Sequence, residues 1–188
     1  MREHRAKQED AGITRRLIAY LLDWYIGGLA TAFPISAVSM RLYGTVKNQQ
    51  IMEFPSPWGA AAGFLALACA AMYYWGVPVL VWKGQTLGKR WLGLKIQSVD
   101  GGELSPGRMA ARQVLGVMIV EGAVVTASTI WHQLLTMAVG INFVAPLMYL
   151  GMGVSLISSL LVLFKGHRAI HDYLGGSRVI CLKPSKNK

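Results

Sequence analysis

The stretch Trp58–Trp82, WGAAAGFLALACAAMYYWGVPVLVW, runs for 25 residues without a charged side chain. A helix rises about 1.5 Å per residue, so about 20 apolar residues cross the hydrocarbon core of a bilayer. A run of this length reads as a transmembrane helix rather than a buried core helix. Trp58 at one end and Trp75 and Trp82 at the other fit the aromatic belts of the two interfaces. Pro55 and Pro57 stand just ahead of the run, where a missing N–H does no harm.

Three further runs flank it. Leu17–Met40 is broken by one charge, Asp23; Val114–Trp131 carries one, Glu121; and Leu134–Phe164 carries none in 31 residues. The last is too long for one perpendicular crossing, which predicts a turn or interfacial stretch over Leu134–Gly140 and a helix from about Ile141. A basic leader followed by an apolar run also describes a secretory signal, and Ala30-Thr31-Ala32 mimics a cleavage site. The carboxylate of Asp23 in the middle of that run argues for a retained helix instead. The expectation is an all-α membrane protein with four transmembrane helices, at about 17–40, 58–82, 114–131 and 141–164.

The charges sort by segment. The leader through Arg16 holds five Lys and Arg, the loop from Lys83 to Arg112 six, and the tail from Lys165 six. Arg41 and Lys47 are the two that fall elsewhere, so 17 of the 19 basic residues lie on one side of a four-span arrangement with both termini inside. That is the pattern the positive-inside rule selects, and it predicts an inner (plasma) membrane protein with both termini cytoplasmic. The excess of 19 basic over 9 acidic residues is thereby assigned to anionic headgroups and membrane orientation, and nucleic acid is not an expected partner. Cys69 and Cys181 fall in an apolar run and in the basic tail, which implies no disulfide and no paired-cysteine metal site. The domain reading is a basic leader, 1–16, one transmembrane domain, 17–182, and a basic tail, 183–188.

The loop between the second and third runs has structure of its own. Leu94–Val99 alternates, Asp100-Gly101-Gly102 supplies a turn, and Glu103–Ser105 is placed to return, which predicts a short β-hairpin that Arg178–Leu182 of the tail can join. Ahead of it, Leu87, Trp91, Leu92 and Leu94 surround Lys89, Arg90 and Lys95, the pattern of a segment on the headgroup layer with snorkelling basic side chains. These three are the candidate lipid- or partner-binding residues. Gly84–Arg90 is one residue short of a phosphate-binding loop and lacks its Ser or Thr, so that reading is rejected.

Three segments together resemble the RDD family of bacterial integral membrane proteins: RRLIAYLLD (Arg15–Asp23), GQTLGKR with GLKI, DGG and Arg112 (Gly84–Arg90, Gly93–Ile96, Asp100–Gly102), and HDYL (His171–Leu174) before Val179. The arginine and two aspartates of the family's name map to Arg16, Asp23 and Asp172. The resemblance implies transport of ions or small ligands, with sodium–proton exchange among the suggestions. Glu121 is an additional carboxylate outside that pattern.

Asp23 lies six residues beyond Leu17 and Glu121 seven beyond Val114, so both sit at similar depth on helices that enter from the same side. A charge there costs at least about 2.5 kcal/mol, so each must pair, be protonated or face the bundle. They are the ion- or proton-binding candidates, with structural pairing as the equal alternative. Arg16 and Asp172 are candidates for a structural or gating ion pair at the same membrane face, although Asp23, two turns along from Arg16, is its other possible partner. His167 and His171 have helical ligand spacing but no third ligand, so no metal is expected, nor any other cofactor. Gly59, Gly63, Ala66 and Ala70, and likewise Gly151, Ser155 and Ser159, form small-residue stripes that call for close helix packing. No catalytic constellation is present and the roughly 30-residue loop is too small for a catalytic head, so an enzyme is not expected.

The leading functional expectation is a transporter of a small cation or other small solute, proton-coupled through Asp23 or Glu121 and working as a homo-oligomer among membrane lipids. The alternative is a non-transporting scaffold or accessory subunit that docks a cytoplasmic partner or anionic lipid through its basic loop.

Overall fold

A computed structural model describes residues 11–46, 50–122, 125–164 and 168–182. Helix α1 spans Ile13–Tyr43 and turns its small and polar residues inward. Ala19, Asp23, Gly27, Thr31, Ile35 and Ser39 are buried at strict four-residue spacing, while Leu17, Leu21, Tyr25, Leu29 and Phe33 are exposed. This is the reverse of a water-soluble helix and is what a lipid-facing one requires, because lipid gives large apolar side chains no reason to hide. A 3₁₀ turn, Ile51–Glu53, leads to α2, Trp58–Ala71, which continues without a break as a π-helix over Met72–Val81. Pro78 lies in that wider stretch, where its missing N–H is easily accommodated.

The small-residue stripe of α2 packs within the chain. A Cβ on Gly63 would lie 2.6 Å from Ile51 Cδ1 and 2.8 Å from Leu134 Cδ2, so glycine is what lets α2 approach α5 (Thr126–Val139) and the 3₁₀ turn. Of the other stripe, Gly151 is buried and Ser159 is exposed.

Three helices are long and apolar enough to cross a membrane: Ile13–Tyr43, Trp58–Val81 and Val144–Leu163, the last being α6. The expected span over Val114–Trp131 is not one helix. After α3 (Leu87–Trp91) and strand β1 (Leu94–Ser98), a one-turn helix α4 (Pro106–Ala110) passes into a π-helix over Ala111–Val120, which ends at Glu121, and α5 begins only at Thr126. Backbone unwound between apolar helices needs partners for its freed carbonyls. Met118 O accepts from Ser128 Oγ and from Trp131 Nε1 (3.2 Å), and Glu121 O accepts from Ser155 Oγ. The break is thus stabilised by side chains that a hydropathy count treats as minor. The expected interfacial turn over Leu134–Gly140 is instead the last part of α5, closed by Gly140 at φ 76°, and α6 starts at Val144.

The predicted hairpin is corrected in its second strand. β1 pairs antiparallel with β2 (Ser177–Cys181) of the tail, Leu94 opposite Cys181 and Ser98 opposite Ser177. Glu103–Ser105 does not return as a strand, because Ser105 serves as the N-cap of α4 with Pro106 at its first position. Val179 and Ile180 supply the buried residues that Glu103–Ser105 could not. Ala11 N donates to Val179 O at 3.2 Å, so the start of α1, the β1 loop and the tail strand gather at one end of the bundle. Cys69 and Cys181 are both free thiols.

Candidate functional site

That common end holds two buried carboxylates, Asp23 and Asp172, and a partly buried one, Glu121, each in its own setting. Asp23, on α1, accepts from Tyr73 Oη on Oδ1 (2.8 Å), from the Gly88 amide on Oδ1 (2.9 Å), from Thr86 Oγ1 on Oδ2, and from Lys89 Nζ on Oδ2 (2.8 Å). The GQTLGK stretch therefore curls under α1 and delivers three donors to one carboxylate. A Cβ on Gly88 would lie 2.5 Å from Ala19 O and 2.9 Å from Asp23 Oδ1, so only glycine brings that amide within reach. Lys89 is turned inward, 13% exposed and paired with Asp23. Arg90 lies 4.9 Å from the centroid of the Trp82 ring, and Lys95 Nζ is 3.7 Å from Glu103.

Asp172 sits on the single-turn helix α7 (Ile170–Leu174) and is fully buried. Arg16 Nη2 meets its Oδ2 at 2.7 Å, which is the pairing expected across the two ends of the chain. A second arginine, Arg112, donates to Oδ1 from Nη2 at 2.7 Å and from Nε at 3.2 Å, and is itself 1% exposed. The Ala169 amide adds a bond to Oδ2 at 3.1 Å, and His171 Nε2 stands 3.7 Å from Oδ1. Burial by itself would raise the Asp172 carboxyl, but Arg112, His171 and Arg16 outweigh it and hold the group well below the usual carboxylate range.

Glu121 occupies the end of the π-helix. Its Oε1 accepts from the His171 amide (2.6 Å) and from Ser158 Oγ (2.8 Å), and its Oε2 lies 2.7 Å from His171 Nδ1. Gly116, one turn back, lets α7 come this close, since a Cβ there would meet His171 Cβ at 2.6 Å. Asp23 and Glu121 therefore have different partners: one is bound by lysine, the other by histidine.

The model of the RDD family matches residues 10–176. The chain belongs to the RDD family. No curated protein and no solved structure matches it. In this RDD protein the arginine and two aspartates of the family's name are all buried or nearly so. They form two centres rather than one, Arg16 with Asp172, and Asp23 with Lys89. With its apolar helices, this is a membrane protein.

The sequence reading missed the second cation on Asp172, although Arg112 was part of the family motif. It also missed His171 as the partner of Glu121, which the HDYL motif places beside Asp172. Arg108 was passed over as a loop charge. It donates to Gly175 O (3.0 Å), Gly176 O (2.6 Å) and Ser98 Oγ (3.1 Å), clamping the tail to β1. Among the described residues no three His, Cys, Asp or Glu side chains converge on a metal, and His167 lies outside them.

Between α1 and α6 the RDD protein has a cleft of about 400 Å³, with Glu121, His171, Ser158, Arg16 and Tyr20 on its wall. Glu121 is hydrogen-bonded to His171, and that pair faces this space. Asp23 and Asp172 are held by a lysine and by arginines.

Proposed function

We propose that this RDD protein moves a small cation or other small solute across the inner membrane, with the Glu121–His171 pair carrying the proton. The carrying observation is that this pair lines the cleft at a break in a helix. Broken helices and π-helical stretches recur where transporters bind and release ions, because unwinding frees polar groups inside an apolar bundle. A carboxylate–imidazole pair can exchange a proton near neutral pH, which a carboxylate–arginine pair cannot. Asp23 loses its part in this reading, since four donors, one of them the Lys89 ammonium, already engage its carboxylate.

The proposed topology keeps four crossings, the third built from the segments on either side of Glu121. Both termini and the β1 loop face the cytoplasm, where 17 of the 19 basic residues then lie. Four crossings enclose little space, so a homo-oligomer is part of the reading. The scaffold alternative is weakened by Lys89, whose charge points into the fold.

The test is purified protein in liposomes holding a pH-reporting dye, challenged with sodium, potassium, chloride and phosphate. Solute-dependent proton flux is expected, lost in Glu121→Gln and retained in Lys95→Gln. Undiminished flux in Glu121→Gln, or none with the wild-type chain under every gradient, overturns the proposal.

A further inference from the structure

The cleft does not end at Glu121. Tyr20, Lys89, Arg112 and His171 line both the outer space of about 400 Å³ and an inner pocket of about 30 Å³ behind it. The outer space lies in the range of about 300–1,000 Å³ common for ligand sites. The inner one has room for one water or a group of a few atoms. The character of the wall changes along this path. Leu17, Leu160 and Leu163, which border the outer space, are largely exposed, whereas Arg112 and Gln113 at the inner end are 1% exposed.

Gln113 is the decisive residue. Its Oε1 accepts from Arg112 Nη1 at 3.1 Å, which fixes the orientation of the amide, and its Nε2 has no hydrogen-bond partner. A buried donor left in this state is costly and marks a place where an acceptor belongs. The charged groups nearest the inner pocket are Lys89, Arg112, Asp23 and His171, with Arg16, Asp172 and Glu121 beyond them. All three carboxylates are already engaged by donors. Lys89 and Arg112 are engaged in turn by Asp23 and Asp172, so the group left unmet at the inner end is a donor, the Gln113 amide.

We propose that the cleft binds a single-chain amphipathic anion, an aliphatic carboxylate whose head reaches Gln113 Nε2 and whose chain lies between α1 and α6 against Leu17, Leu160 and Leu163. A carboxylate fits the inner pocket better than a phosphate ester because that pocket admits only a few atoms. The unpartnered Gln113 amide selects an acceptor head, and the aliphatic outer wall selects the tail. Helix α6 makes room for the tail: its most apolar 18-residue window is only 11% buried inside the fold. The inference goes beyond the transport reading and stands whatever solute crosses the membrane.

Equilibrium dialysis of labelled decanoate against the full chain in amphipol tests it. One saturable site is expected, displaced by unlabelled decanoate but not by equal concentrations of decanol or acetate. Gln113→Glu keeps the acceptor for Arg112 and replaces the free donor with a negative oxygen, so decanoate affinity should fall about tenfold or more. Leu17→Trp, which fills the outer wall from an exposed position, should lower it as well while leaving the melting temperature near that of the wild type. Equal competition by decanol means a nonspecific apolar groove, and displacement by phosphatidylglycerol at equal concentration means an ordinary bilayer lipid. Either result, or unchanged binding in Gln113→Glu, overturns the proposal. Glu121→Gln separates the two readings, because it should abolish proton flux and leave decanoate binding in place.

Discussion

Replacing Arg112 by methionine should be among the most damaging single changes at the polar end of the bundle. Arg112 makes two bonds to Asp172 Oδ1, one to Ser177 Oγ at 3.1 Å and one to Gln113, all out of contact with solvent. Methionine fills much of the volume but leaves Asp172 buried with one cation fewer. Breaking a buried pair in this way costs about 3–5 kcal/mol. Arg16→Met removes the bond to Asp172 from a side chain that is 12% exposed, and the loss of a hydrogen bond to a charged group costs about 1.5–3 kcal/mol. The larger loss should therefore fall on the arginine outside the family's name. Swapping Arg16 and Asp172 should not restore stability, because the new arginine at 172 would face Arg112. The sign with pH follows from the depressed Asp172 carboxyl. Its contribution is complete above the ordinary carboxylate value of about 3.9 and is lost only as pH falls toward the depressed value. Removing Arg112, the largest of the opposing influences, should start that acid loss at higher pH. Thermal unfolding in detergent between pH 7 and 3, with the Arg112–Asp172 and Arg16–Asp172 double-mutant cycles, measures both effects. Arg112→Met costing less than Arg16→Met, or strictly additive losses in both cycles, would refute the reasoning.

Asp23→Asn should destabilise the fold by about 2–4 kcal/mol, because it leaves Lys89 buried and unpaired, and adding Lys89→Met should recover part of that loss; a double variant no more stable than Asp23→Asn would show that the pair does not bind α3 to α1. Accessibility labelling of single cysteines at Thr45 and Gly101 should place them in opposite compartments, with Gly101 cytoplasmic, and labelling of both from one side would remove the proposed topology.

Long-range apolar runs made most of the helical fold legible. Trp58–Val81 and Val144–Leu163 differ from the expected spans by a few residues at their ends. What hydropathy could not register was the break after Val120. Its stability comes from Ser128, Trp131 and Ser155 reaching particular carbonyls, and side-chain reach across helices has no sequence period. The pairing of Arg16 with Asp172 was legible because charge placement and topology brought both to one face. The partner of Lys89 was hidden for a related reason. A basic residue amid leucines looks like a snorkelling group unless the fold supplies a buried carboxylate, and Asp23 is 66 positions away in the chain. The tail strand was a similar case, since the partner of β1 comes only at Ser177–Cys181, beyond α5 and α6.

The three carboxylates divide the work of that end by the chemistry of their partners. Asp23 with Lys89 and Asp172 with Arg16 and Arg112 are ionic braces between the loop, the tail and α1. Histidine is the side chain whose ordinary titration overlaps neutral pH, and it is the one placed on Glu121. The two kinds of centre are joined by adjacency, because His171 and Asp172 follow one another on α7 and His171 Nε2 lies 3.7 Å from Asp172 Oδ1. Arg112 stands on the π-helix that ends at Glu121, so α7 is tied to that helix twice, through Asp172 and through His171. The tail is held separately, its strand paired with β1 and clamped by Arg108. Ionic braces therefore surround the Glu121–His171 contact, the one of the three that sets a histidine on the cleft wall.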